Sequence, residues 1–447
     1  MIQVQRVRAS RSSRNVQVSV LDFFRNTILG KIYLRYLRQY APIRTTVIWS
    51  WKYLLDLITY SKLKLLKLKH SKFKQLTEIV DSRALVYPKQ KVSLGMQSVY
   101  PNEKSSSIKV SASYEFPEVF VTTIADAAVI GSSNFVHTNQ AIIGHNLFRI
   151  SHDYTSEELH GRLYINAKKQ LITRLSSIKT DVEILQGALF TDAVSANYAH
   201  FMTEVLPKIF AYTQTNPDKT TPLIIDCELH ANLMQALEMV VAEDTKLIGL
   251  EKGEPLQVRS LHVVSACGYV PFERRPRSNH FADHSHGIFS PSALLGMRDL
   301  IKSKVAKLQP NTEVGVTHKK IWIKRNSNYR NVSNANEIEA ALIARGFTVI
   351  EPEKLSLTEQ VSIFGNADIV VGATGAAFAN LIFCKPETNI IILIAEFKHM
   401  IYGYWQNMAA SVGNRVTYVL GVNTDKVSQI HSNFKVELTD LLEAISD

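Results

Sequence analysis

Short apolar runs alternate with helical periods over the last third of the chain. Ile321–Ile323, Thr348–Ile350, Ala367–Val371 and Ile390–Ile394 read as buried strands. Glu337–Ala344, Leu357–Phe364 and Ala376–Phe383 carry helical period between them. Strands that are apolar throughout, separated by helices, predict a parallel sheet covered on both faces. The pattern repeats upstream, with strands at Pro222–Asp226, Lys246–Leu250 and Leu261–Ala266 and a helix at Ala231–Val241. Asn197–Thr213 also reads as a helix. Ser290 and Pro291 have the N-cap and first-turn chemistry of another, running to about Leu308. Val119–Val121, Ala128–Ile130 and Gln140–Ile143 read as short strands of a small β-layer. Residues 76–118 are polar and turn-rich around Tyr100-Pro-Asn-Glu-Lys-Ser-Ser-Ser107, and read as a linker. The expected division is a helical segment at 1–75, a linker at 76–118, one α/β domain at 119–309 and a second at 310–447. At 447 residues the chain has room for two to three domains of ~150 each.

Ligands of parallel α/β sheets bind at the carboxyl ends of the strands. At one such end stands Ile369-Val-Val-Gly-Ala-Thr-Gly-Ala-Ala-Phe-Ala-Asn380. Gly372, Thr374 and Gly375 give a tight turn whose small residues let a ligand approach the backbone. The free N–H groups of the helix start that follows favour a phosphate. The alternative is a strand-to-helix turn whose small residues serve packing. Lys324, Arg325 and Arg330, just after Ile321–Ile323, add charge of the right sign for a diphosphate clamp. On the Asn197 helix, Asn197, His200 and Glu204 share one face, where a His and a Glu can transfer a proton. The alternative is a structural imidazole and a surface ion pair. Arg274, Arg275 and Arg277 could meet an anionic acceptor. His280, His284 and His286, nearby, have only Asp283 for company and read as a solvated loop, not a metal site.

These motifs in their order resemble glycosyltransferase family 61. They are Asn197-Tyr-Ala-His-Phe-Met-Thr-Glu-Val-Leu-Pro207, Arg325…Arg330…Asn334, Leu355-Ser-Leu-Thr-Glu-Gln360 and the Val370–Asn380 turn. The chain departs from that family at Thr374, Ala377 and Ala335, where His, Gly and Glu are usual. The resemblance implies an inverting transfer of a sugar from a nucleotide-sugar, with a UDP-sugar first among donors, to a glycan or lipid-linked glycan. It implies a GT-B-like fold, two Rossmann-like domains facing a cleft. His200 is then the base, with Glu204 second. Lys324, Arg325, Arg330, Asn334, Gln360, Gly372, Thr374, Gly375 and Asn380 fall on the donor side, and Asn197 with the three arginines of 274–277 on the acceptor side. The chain has no Asp-x-Asp triplet, so the expected site uses no metal and no resident cofactor. A non-catalytic glycan- or nucleotide-binding subunit of the same fold, or a membrane-docked scaffold, are the other readings.

Charge changes the picture only at the start. The net charge is +11, yet residues 1–75 hold 16 Lys and Arg against Asp22 and Asp56, which leaves 35 basic against 38 acidic residues beyond. Trp49, Trp51 and Tyr53 with Leu54, Leu55, Leu57 and Ile58 precede six lysines between Lys62 and Lys74. A basic amphipathic helix with aromatics at its edge suits an anionic membrane surface or a docking partner. The apolar window is shorter than the ~20 residues a span needs. No nucleic-acid motif accompanies the charge, and no Walker loop or GxGxxG is present. Three scattered cysteines suit a reducing compartment. The expected setting is the cytoplasmic, inner face of a bacterial cell membrane, in capsule, exopolysaccharide or lipopolysaccharide synthesis.

Overall fold

The structure is a computed structural model. It describes Val4–Val7, isolated positions between 27 and 61, and residues 70–446 apart from 81, 96–97, 108–110, 176–177, 216, 276–286, 309–317, 328, 398–401 and 426–431. Most of the basic N-terminal segment, Arg277 and the three histidines of 280–286 lie outside the described residues.

Both expected sheets are present. In the C-terminal one, Lys320–Ile323 lies between Thr348–Ile350 and Ile369–Ala373, followed outward by Asn389–Ala395 and Arg415–Asn423, all parallel. The central strands are apolar because both faces are covered: Val370, Val371 and Ile390–Ile394 are buried between Ala335–Ile343, Leu357–Asn366 and Gly403–Ser411 and their neighbours. Each such aliphatic side chain contributes about 1.5–3 kcal/mol by leaving water. Ser356 starts its helix through a capping box with Glu359.

The N-terminal sheet runs Val4–Val7, Leu247–Leu250, Leu223–Asp226, Glu183–Leu189 and Pro255–Val264, again parallel. Val119–Ile130 then joins Pro255–Val264 antiparallel, and the shorter strands continue from it. The β-layer is therefore not separate: Val119–Val121 and Ala128–Ile130 are the two ends of one long strand, and the layer is the antiparallel extension of the parallel sheet.

Two expectations about the first 118 residues need correction. Val4–Val7 and Ser71–Gln75 are strands, not helix. Residues 76–118 are not a linker. Ala84–Tyr87 pairs with Val119–Ile130, while Ser98–Tyr100 pairs with Arg415–Asn423 at the far edge of the other sheet. Tyr114 donates its hydroxyl to the Phe289 carbonyl at 2.9 Å. The segment ties the two sheets together. Further ties run from Gln406 to the Gly95 carbonyl and from Asn407 to the Gly287 carbonyl. Among the described residues no helix is long and apolar enough to cross a membrane.

Candidate functional site

The helix that carries His200 begins at Asn197, whose side chain accepts from the Ala199 and His200 N–H groups as N-cap. Tyr198–His200 is α-helical, Phe201–Val205 is a π-turn, and Leu206–Thr213 resumes the α-helix. The widening has a local cause. Pro207 has no N–H to donate to the Thr203 carbonyl, the bond an α-helix would make there. Gly268 fits against that freed carbonyl, since a Cβ at 268 would stand 2.1 Å from it.

On the turn so formed, His200 Nδ1 pairs with Glu204 Oε1, and Glu204 Oε2 accepts from the Val270 N–H at 3.2 Å. Glu204 is buried with both oxygens engaged, so of the two base candidates it is the one that orients the other's imidazole. A carboxylate at Nδ1 places the proton there and leaves Nε2 with its lone pair. Burial pulls the imidazole down, but Glu204 and then Asp192 outweigh it, and the His200 pKa stands above its ordinary value. Asp192 is held by a neighbour. Asp226, at the end of its strand, accepts from Asp192 N (2.9 Å), Ser195 Oγ (2.5 Å) and Ser132 N (2.6 Å), which fixes the loop leading into the helix. Burial pushes the Asp226 carboxyl up to about 6.

On the other sheet, Arg325 lies against Gly375, and Arg330 stands close enough to repel it. Arg325 donates to the Tyr329 carbonyl (3.1 Å) and to Ser327 Oγ (3.2 Å). Its NH1 lies 1.9 Å from where a Cβ of residue 375 would stand, so only glycine admits it. The turn continues into a 3-10 helix, Ala376–Phe383, whose positive end therefore faces a guanidinium. Burial and then Arg330 lower the Arg325 pKa to about 10. Arg330 sits at φ +56, outside the usual range of an L-residue, and its Nε is buried with no hydrogen-bond partner among the described residues. Burial lowers its pKa too. Among the described residues no carboxylate bonds to either arginine.

The other donor-side candidates are held by the protein. Lys324 pairs with Glu339 at 3.0 Å. Asn334 clips the chain at Val436 through both its amide groups. Gly372 packs against Ile323, where a Cβ would come within 2.9 Å. Thr374 Oγ1 accepts from Trp405 Nε1 at 2.9 Å and is buried. Gln360 and Asn380 are buried and bonded to each other. On the acceptor side, Arg275 makes a two-pronged bond to Glu158, at 2.9 and 2.7 Å, and stacks on Tyr154. Burial lowers the Arg274 pKa against the pull of Asp153. Both belong to the β-layer's own packing.

The sequence reading missed Tyr404. Its hydroxyl lies near Thr203 and within reach of both the Glu204 and the Arg330 charges, so it stands between the two sides. Its ring stacks on Trp405 (centroids 4.2 Å apart) and lies against Phe289. The signal was the Tyr402-Gly-Tyr-Trp405 cluster soon after a strand's carboxyl end.

The arrangement offers an imidazole aimed by a carboxylate and, on the other sheet, two cations to which no carboxylate is bonded among the described residues, with only the Glu353 charge acting on Arg325. That pairing suits group transfer with a departing anion. The family profile described as Glycosyltransferase 61 matches residues 198–391, a span that takes in His200, Glu204, both arginines and the Gly375 turn. The match supports the resemblance to that family and the transferase class with it. No curated protein matches the chain.

Proposed function

We propose that the chain is an inverting glycosyltransferase of GT-B type, using a nucleotide-sugar donor without a metal ion. The observation that carries this reading is the Arg325–Arg330 pair: two mutually repelling guanidiniums, Arg325 held against Gly375, with Glu353 near Arg325 but no carboxylate bonded to either among the described residues. Such a pair is costly in the empty protein and favourable once a diphosphate enters. The acceptor hydroxyl gives its proton to His200 Nε2, and its oxygen attacks the anomeric carbon. The bond from that carbon to the phosphate oxygen breaks, and its electron pair leaves with the nucleoside diphosphate. Arg325 and Arg330 neutralise the charge as it develops. A glycan or lipid-linked acceptor, and work at the inner face of a bacterial membrane with the basic arm on anionic lipid, are part of the same proposal.

A non-catalytic nucleotide-binding subunit is the second reading. Thr374 favours it, since its hydroxyl is taken by Trp405 at a position where an imidazole is usual in the resembled family. A thermal-shift panel with UDP, GDP, CMP and ADP, with and without chelator, tests both on the wild type and Arg325→Ala. The expected result is a shift with one nucleotide that survives chelator and falls in the variant. Loss of the arginine should weaken nucleotide binding by ~2 kcal/mol, about thirtyfold. Donor hydrolysis or transfer by the wild type then separates enzyme from binding subunit. No shift with any nucleotide removes the diphosphate clamp.

A further inference from the structure

The relay behind the site is a chain of side chains with a single polarity. Tyr198 donates its hydroxyl to Asn380 Oδ1 at 2.6 Å. Asn380 Nδ2 donates to Gln360 Oε1 at 2.7 Å. Gln360 Nε2 donates to the carbonyls of Pro352 (2.9 Å) and Leu355 (3.1 Å). Asn380 has no exposed surface and Gln360 is 2 % exposed. A buried network in which each member has its partner is rigid, and removing one member leaves another unsatisfied.

The ends of the relay matter more than its middle. Tyr198 stands two residues before His200, in the same helix. Asn380 lies in the 3-10 helix that opens at Gly375, and Pro352 follows the strand Thr348–Ile350, whose end bonds the Lys324 N–H beside Arg325. Two contacts run alongside from the helix Ala231–Val240: Asn232 Nδ2 donates to the Leu355 carbonyl at 2.9 Å, and Gln235 Oε1 accepts from Leu357 N at 3.0 Å. The His200 side of the cleft and the arginine side are thus joined through Tyr198 at the point where they must be held to a fixed separation.

We propose that Tyr198 is a positioning residue: with Asn380 and Gln360 it sets the distance from the His200 imidazole to the Arg325–Gly375 clamp. This rests on the transferase reading above. A base and a leaving-group clamp work on one carbon from opposite sides, so a small displacement between them slows the reaction without weakening either alone. The relay touches no substrate.

The test is a double-mutant cycle on the full chain, with Tyr198→Phe, His200→Ala and the pair. Tyr198→Phe should lower kcat at least tenfold and leave the affinity for the nucleoside diphosphate within twofold of wild type. In the His200→Ala background the same change should cost nothing further, because the relay acts through His200. An equal loss in both backgrounds, or an unchanged kcat, overturns the proposal. A second arm needs no activity. Spin labels at Lys219→Cys and Lys354→Cys, both exposed and on opposite halves, report the separation in a Cys227→Ser background. Tyr198→Phe should broaden that distance distribution, and an unbroadened one overturns the proposal. If the wild type neither binds nucleotide nor transfers sugar, the transferase reading fails on that result, and the spin-label arm still decides whether Tyr198 fixes the two halves.

Discussion

The two parts of the candidate site differ in how their charges are answered. On the helix side, the His200 imidazole and the Glu204 carboxylate answer each other, the Val270 N–H takes the remaining oxygen, and Asp226 holds the approach loop. On the turn side, two guanidiniums repel each other, Arg325 lies at Gly375 where a helix starts, and Arg330 has a left-handed backbone. The helix side is finished without a ligand. The turn side holds two like charges close together, and under the proposed reading a diphosphate would complete it. The contrast teaches where binding energy would enter: the donor's charge relieves the clamp, while the base is oriented beforehand.

The sharpest way to break the comparison is to remove the base. His200→Ala should lower kcat by roughly 10²–10⁴, the usual worth of a placed general base, with nucleotide affinity unchanged. A variant that loses binding and keeps turnover would put His200 on the wrong side. Next comes Gly375→Ala. Its Cβ would need the space held by Arg325 NH1, so the clamp must open, and nucleotide affinity should fall roughly tenfold, the worth of one charge-assisted bond, with the His200 pair untouched. Calorimetric titration with the nucleotide that stabilises the wild type reads this directly. The smallest effect is on pH. The base works neutral, so the acidic limb of kcat/KM should lie above the ordinary imidazole value of 6.5 in the wild type. Glu204→Gln removes the carboxylate that raises it and leaves the burial that lowers it, so the limb should move to lower pH. A limb that stays in place would separate His200 from the rate.

Much of this was legible in the sequence, and unevenly. Four strands of the C-terminal sheet fall within two residues of their apolar runs, since a strand buried on both faces has little room for polar positions, while Arg415–Asn423 was not read as a strand. The helix start at Pro291 followed from cap chemistry. At the candidate site, Arg325 packs at Gly375 beside Arg330, and His200 pairs with Glu204, the neighbours that charge and turn chemistry suggested. Lys324, Asn334, Gln360, Thr374 and Asn380 were read as donor ligands and turned out to have protein partners. A polar side chain near a strand end looks the same in sequence whether it faces a ligand or a buried carbonyl. Only the partner decides, and for Asn334 that partner is 102 residues away. The segment 76–118 was misread for a related reason. Its strands are only three or four residues long, too short to stand out as a pattern, and Ser98–Tyr100 exists because of an edge supplied by distant chain.

That segment has a consequence for how the protein is made. Ser98–Tyr100 pairs with Thr417–Val419, 319 positions later (417 − 98). At the usual ~5–20 residues per second of synthesis, the early strand leaves the ribosome roughly a quarter of a minute to a minute before its partner exists. The outer edge of the C-terminal sheet closes only when almost the whole chain has emerged. A nascent chain stopped before Arg415 would carry Ser98–Tyr100 with no edge to join.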